Sequence, residues 1–418
     1  MHYFQYKNKQ LYAEKVAVKA IAKQVGTPLY IYSYSTLERH YKIFDAAFAD
    51  LPHQICFSMK CNSNLAILKS IAGFGGGVDI VSGGELYRAL QAGISPQKIV
   101  YSGVGKTAAE MDAALDAGIL FFNVESEAEL EVLQELAKRA GKKAPICLRV
   151  NPNIDPKTHP YISTGMKKSK FGIEVKRAVE IYKKAQRLSH IEIVGLDCHI
   201  GSQLTQIRPF VDALKKLKDL IAKLKQAGIA LRYLDIGGGL GINYDKETPP
   251  SPADYAKALI QELKELNLTL IFEPGRVLMG NAGILVTQML YSKKGEAKEF
   301  VIVDAAMNDL IRPAFYGSYH AIEPVEQKGR KKIKTDIVGP ICESGDFFAQ
   351  DRQIEKTECG ELLALFSAGA YGFAMSSNYN TRRRAAEVLV KGNQFEVIRE
   401  RESYEDLIKN EKIPKFLK

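Results

Sequence analysis

The sequence predicts an α/β protein: a TIM-type (β/α)8 barrel with a second, mainly β C-terminal domain. Three observations predict it. From about Pro28 to Gly280, short β-rich runs alternate with helical patterns, and such alternation implies right-handed βαβ units and a parallel sheet. The runs number eight, over a length of about 250 residues that suits a closed barrel. After Gly280 the helical patterns thin out and strand-like runs follow one another across turns. A doubly wound sheet is the alternative, but eight evenly recurring units ending in polar, Gly-rich residues favour the barrel. The expected domains are residues 28–280, and 1–27 with 281–418.

The runs are Gln54–Lys60, Gly77–Ser82, Ile99–Gly103, Phe121–Glu125, Ile146–Asn151, Ile193–Gly201, Arg232–Gly239 and Leu268–Gly275. Between them, Ser126–Ala140, Arg208–Ala227 and Ala253–Leu266 repeat apolar residues at helical spacing. Beyond the barrel, Gly283–Lys293, Glu299–Asp304, Lys334–Val338 and Leu362–Ala368 read as strands. Tyr3–Lys9 also reads as a strand, expected to pair with that C-terminal sheet. Leu407–Lys418 reads as a short basic tail.

Composition narrows the function classes. The chain has 418 residues, a net charge of +10, 46% hydrophobic and 25% charged residues, the make-up of an ordinary globular protein. A basic balance suits nucleic acid or anionic small molecules. The clusters Lys167-Lys168-Ser169-Lys170, Lys328-Gly329-Arg330-Lys331-Lys332 and Arg382-Arg383-Arg384 are not interleaved with aromatics, so they read as solvated faces and no nucleic-acid partner is expected. No apolar run reaches the roughly 20 residues that span a bilayer. The first residues lack an apolar signal core. Six widely spaced cysteines, with no CxxC pair or Cys/His cluster, predict no metal site and a reducing cytoplasm.

Barrel chemistry sits at the carboxyl ends of the strands. Lys60 closes the first run. Taken alone, a strand-end lysine is more often a snorkelling edge residue than a Schiff-base lysine. Asp79 and Ser82 lie at the second run, and His199-Ile200-Gly201-Ser202 closes the sixth. The seventh ends in Gly237-Gly238-Gly239, which can offer successive backbone N–H groups to a phosphate; a structural turn explains such a run equally well. Glu273-Pro274-Gly275-Arg276 closes the eighth. The Glu273 carboxylate needs a cationic or donor partner, either a protonated pyridine nitrogen or Arg276. In the second domain, Cys342-Glu343-Ser344-Gly345-Asp346 offers a proton donor or a packing thiol. Arg312 and Tyr316 suit a carboxylate, and Gly369-Ala370-Tyr371 sets a phenol in a turn.

Together these residues resemble the fold-type III pyridoxal-phosphate decarboxylases, which join an alanine-racemase-like barrel to a β domain. Within them the likeness is to the branch acting on meso-2,6-diaminopimelate. It covers nearly the whole chain. The motifs stand as Phe57-Ser58-Met59-Lys60-Cys61-Asn62, His199-Ile200-Gly201-Ser202, Gly237-Gly238-Gly239, Glu273-Pro274-Gly275-Arg276, Cys342-Glu343-Ser344-Gly345-Asp346 and Gly369-Ala370-Tyr371. Ser58 and Cys61 replace two alanines usual in the lysine motif.

The resemblance implies pyridoxal 5'-phosphate held as a Schiff base on Lys60, with His199 stacked on the ring and Glu273 on the pyridine nitrogen. It implies phosphate contacts from Ser202, Gly239, the Gly275-Arg276 backbone and Tyr371, with Asp79 and Gly238 also in the cofactor site. Arg276, Arg312, Tyr316 and Tyr371 are expected around the substrate, and Glu343 on its distal ammonium. Cys342 is the expected proton donor. Cys342 and Glu343 are expected to serve the partner subunit's site in a homodimer. The implied reaction releases carbon dioxide and L-lysine, the last step of lysine synthesis. Decarboxylases of ornithine, arginine or carboxynorspermidine are the rival reading, and a degenerate, partner-binding homologue is a second.

Overall fold

The computed structural model describes residues 2–155, 164–166, 169–296 and 298–417. Lys167 and Lys168 of the first basic cluster lie outside them. The chain forms two compact units, 38–278 and 1–37 with 279–418. The division falls at Leu37/Glu38 rather than at residue 28.

The first unit is a closed barrel of eight parallel strands: β1 His53–Ser58, β2 Gly77–Ile80, β3 Ile99–Tyr101, β4 Phe121–Val124, β5 Ala144–Asn151, β6 Ile191–Asp197, β7 Tyr233–Asp235 and β8 Thr269–Phe272. Each pairs with the next, and β8 pairs with β1 through Leu270 opposite His53, closing the ring. The eight observed strands are the eight expected runs. Helices intervene between them, among them Glu127–Ala140, Arg208–Gln226 and Pro252–Lys264. Local chemistry sets their starts. Ser251 and Asp254 form a capping box before Pro252 at the first helical position, satisfying donors that a helix start leaves open.

Strand periodicity explains how the barrel becomes a site. Cys56, Val100, Phe121, Cys147, Val194 and Ile271 form one buried apolar cluster contributed by six strands, which places it in the barrel interior. Side chains two residues on along a strand share a face. Above that apolar layer therefore stand Ser58, Ser102, Asn123, Arg149 and Glu273. On β6 the step from Val194 to Asp197 is odd, and a register shift between Ile193 and Gly195 absorbs it. Gly195 is required there, since a Cβ would stand 2.6 Å from the Tyr233 carbonyl oxygen.

The second unit is mainly β. Gly283–Lys294 is its spine, pairing with Leu29–Ser33, Leu362–Leu365 and Glu299–Val303. Ala386–Lys391 lies on the far side of Leu29–Ser33, and Lys332–Val338 with Phe347–Glu355 extends the other flank. Leu29–Ser33 is wholly buried, an interior strand of this sheet. Phe4–Lys7 does not join that sheet. It pairs with Gln10–Ala13, which pairs with Val16–Ala17, in a separate three-stranded sheet. A short hairpin partner satisfies its backbone locally, and its links to the C-terminal half include a bridge from Gln10 to Glu326 and the Leu11 N–H on the Val325 carbonyl oxygen at 2.8 Å. The terminal segment carries a helix at Tyr404–Ile408 and a turn at Lys415–Leu417. Among the described residues, no helix is long and apolar enough to cross a membrane.

Candidate active site

Lys60 sits in the single 3-10 turn Met59–Cys61 that follows β1. Its Nζ donates to Asp79 Oδ2 at 2.7 Å, and the same oxygen accepts from Ser58 Oγ at 2.8 Å. Asp79 is fully buried on β2. A buried carboxylate needs such donors, and the paired ammonium stands at the carboxyl end of the barrel.

Glu273 emerges from β8 into the same polar layer. Its Oε1 accepts from Ser102 Oγ at 3.2 Å and Asn123 Nδ2 at 3.4 Å. Asn123 also donates to Asp235 Oδ2 at 3.3 Å. Asp197, Asp235 and Glu273 bring carboxylate oxygens within 4.8 Å of one another. Arg149 offsets part of this charge, at 2.7 Å from Glu125 and 3.9 Å from Asp197. The carboxyl of Glu273 is pushed up to about 7, first by burial and then by the charge of Asp79. Asp235 and Asp197 are raised well above the ordinary carboxylate range, chiefly by burial and then by Glu273. A cluster of this kind favours a cation or a shared proton beside it.

His199 follows β6. Its Nδ1 accepts the Gly238 N–H at 3.1 Å, so the neutral ring carries its proton on Nε2. Burial, then the charges of Arg149 and Lys60, hold its basicity well below the ordinary value. The glycine run after β7 is shaped by contact. A Cβ at Gly238 would stand 2.1 Å from the Glu273 carbonyl oxygen, and one at Gly237 would stand 2.5 Å from His199 Nδ1. Gly237 and Gly239 also hold φ of +67° and +107°, where a side chain is strained. Gly275 packs against Ser58 and Cys61, where a Cβ would come within 3.1–3.2 Å. This explains why Ser58 and Cys61 are small.

Arg276 reaches Tyr244 Oη at 2.7 Å and Ser202 Oγ at 3.1 Å. Glu273 and Arg276 form no ion pair among the described residues, and Glu273 bonds instead with Ser102 and Asn123. The barrel unit thus gathers Lys60, Asp79, His199, Ser202, Gly238, Gly239, Glu273, Gly275 and Arg276. Sequence reading missed Ser102, Asn123, Arg149 and Tyr244. Asn123 and Arg149 carried a signal, being polar side chains inside the apolar runs Phe121–Val124 and Ile146–Val150.

In the second unit, Cys342 is exposed, and its backbone N–H donates to Asn380 Oδ1 at 3.1 Å. Glu343 Oε2 accepts from Tyr379 Oη at 2.6 Å. Arg312 is buried and bonds with His320 and Ser318. Tyr316 ends the helix Arg312–Tyr316. Tyr371 holds a positive φ of +57° beside Gly369, where a Cβ would stand 2.1 Å from the Met279 carbonyl oxygen.

The barrel residues fit pyridoxal phosphate. A close-packed glycine turn at the strand ends, a neutral imidazole, a lysine and a buried acid cluster in need of positive charge suit the phosphate, ring, aldehyde and pyridine nitrogen. Comparison with known proteins agrees. Residues 34–280 match the pyridoxal-binding domain of pyridoxal-dependent decarboxylases. A diaminopimelate decarboxylase of Pseudomonas aeruginosa is 52% identical over 413 residues, covering 99% of both chains. The crystal structure of diaminopimelate decarboxylase from M. jannaschii in co-complex with L-lysine superposes with a TM-score of 0.95 at 39% identity, over 99% of this chain and 98% of that one. The enzyme from Helicobacter pylori complexed with L-lysine gives 0.91 at 43% identity, over 94% and 98%. With half its residues identical to such a relative over nearly its whole length, and with this site in its barrel, the chain belongs to the pyridoxal-dependent decarboxylases, in their diaminopimelate decarboxylase family.

Proposed function

We propose that this protein decarboxylates meso-2,6-diaminopimelate to L-lysine and carbon dioxide, using pyridoxal 5'-phosphate bound through a Schiff base to Lys60. The observation that carries the reading is the Lys60 ammonium on buried Asp79 in the polar layer that also holds Glu273, with full-length family likeness behind it. The barrel domain binds the cofactor, and the mainly β domain supplies residues that complete the site.

The bound cofactor supplies an electron sink for the pair left when carbon dioxide departs. The protein's residues do the rest. Glu273 holds a proton at the pyridine nitrogen, aided by acidic neighbours that favour a positive charge there. Neutral His199 covers the ring face, its tautomer fixed by Gly238. The backbone of Gly239 and of Gly275-Arg276, with Ser202 and Tyr371, holds the phosphate. Arg276, Arg312, Tyr316 and Tyr371 bind the substrate, the arginines taking its distal carboxylate, and Glu343 its distal ammonium. Cys342 Sγ delivers a proton to the carbon that lost carbon dioxide.

The chain works as a homodimer in which each subunit lends Cys342 and Glu343 to its partner's site. Six free cysteines suit a reducing cytoplasm. The test is to incubate the cofactor-loaded protein with meso-diaminopimelate, ornithine, arginine and carboxynorspermidine. L-lysine and carbon dioxide from the first alone are expected. Turnover of another substrate in preference overturns the reading.

A further inference from the structure

We propose that His320 is a positioning residue for substrate specificity, accepting a hydrogen bond from Arg312 and so fixing the plane of its guanidinium. The inference rests on the assignment of Arg312 to the distal carboxylate.

Arg312 is only 5% exposed and His320 not at all. Arg312 Nη1 lies 2.9 Å from His320 Nε2, and Nη2 lies 3.2 Å from Ser318 Oγ. His320 Nδ1 is 2.8 Å from the Phe366 carbonyl oxygen. A carbonyl oxygen can only accept, so the ring proton is on Nδ1. Nε2 then carries a lone pair, which suits a guanidinium that can only donate. A backbone carbonyl thus sets the tautomer, and the tautomer sets the arginine.

The histidine is itself anchored. Its carbonyl oxygen accepts from Arg352 Nη1 at 2.8 Å, and that guanidinium lies 3.9 Å over the Tyr319 ring. Recognition of a carboxylate by arginine depends on the orientation of a planar fork. A buried side chain that fixes this plane therefore acts on substrate affinity without touching the reacting carbon.

Asn and Gln separate the two halves of the ring. The amide of Asn reaches about as far as Nδ1, and that of Gln about as far as Nε2. His320→Gln keeps the acceptor for Arg312, whereas His320→Asn keeps only the bond to Phe366. With cofactor-loaded enzyme and meso-diaminopimelate, His320→Asn is expected to raise KM about tenfold with kcat within about threefold, and His320→Gln to stay within about threefold in both. Cofactor absorbance is expected to match the parent in both variants, and melting temperature to fall by a similar few degrees in each, since each loses one buried hydrogen bond. Arg312→Lys, measured alongside, is expected to raise KM at least as much as His320→Asn. If Arg312→Lys leaves KM unchanged, the assignment of Arg312 fails and this inference with it. If Arg312→Lys raises KM but Asn and Gln at 320 behave alike, or if their KM changes follow loss of fold or cofactor, the role of His320 is overturned and that of Arg312 stands.

Discussion

The Lys60 ammonium lies 2.7 Å from Oδ2 of Asp79, a carboxylate with no solvent exposure. The pair holds the reactive amine at one place in the polar layer, and it makes that amine part of the fold. Lys60→Ala is expected to abolish covalent cofactor attachment, its visible absorbance and turnover. It also takes the cation from a buried carboxylate, a change costing on the order of 1–3 kcal/mol. The double variant Lys60→Ala/Asp79→Asn is therefore expected to melt higher than Lys60→Ala alone. Urea titrations of the apoproteins check this. A double variant no more stable than the single one would show that Asp79 does not depend on Lys60.

Glu273 sits where burial and Asp79 raise its carboxyl from near 4.5 to about 7. Between those values the folded protein holds a proton that the unfolded chain has released. Its contribution to stability therefore declines as pH rises through that window and levels off above it. Glu273→Gln titrates in neither state. The apoprotein of Glu273→Gln is thus expected to gain on the parent between about pH 4.5 and pH 7.5, by on the order of 2 kcal/mol. The same variant is expected to lose about 100-fold or more in kcat, because a neutral amide no longer favours a protonated ring nitrogen. Denaturation at several pH values reads the first effect and steady-state kinetics the second.

Gly238 is tied to Glu273 by space. Its added Cβ would meet the Glu273 carbonyl oxygen at 2.1 Å, a backbone atom with little freedom to yield. Gly238→Ala is expected to shift the glycine run, weaken cofactor affinity about tenfold or more and lower the melting temperature. Gly105→Ala is the control, since nothing lies within 4 Å of its Cβ and no positive φ is involved. It is expected to change stability by less than about 0.5 kcal/mol. Fluorescence titration of apoprotein with cofactor separates the two variants.

The barrel strands were legible because each puts a short apolar run before a polar strand end, and that pattern is local. Lys60, His199, Gly237-Gly238-Gly239 and Glu273 stood out for the same reason. Leu29–Ser33 was not assigned. Its five buried residues look like any barrel strand, and only pairing with residues 283–286 and 386–390, far along the chain, places it in the β unit. Asn123 and Arg149 were visible as polar interruptions but had no assignable partners, because Asp235, Glu273 and Asp197 come from other strands. Tyr244 lies in a loop and gains meaning only from the guanidinium of Arg276. His320 was silent for a similar reason, its role depending on a carbonyl oxygen 46 residues away.

The shared-site reading of Cys342 makes a prediction that single variants cannot. Cys342→Ala removes the proposed proton donor and is expected to lower kcat about 100- to 1,000-fold while leaving cofactor absorbance intact. Lys60→Ala is inactive for a different reason. If Lys60 of one subunit works with Cys342 of its partner, a mixed dimer of the two variants contains one site with both residues native and one with neither. Random reassortment makes about half of the dimers mixed, so about a quarter of the parent activity should return on mixing. If both residues served the site of their own subunit, no native pair would form and activity would stay at the level of the Cys342→Ala protein. Co-refolding the two variants at equal concentrations and assaying L-lysine release distinguishes the arrangements. Sedimentation of the mixture shows whether dimers are present to exchange.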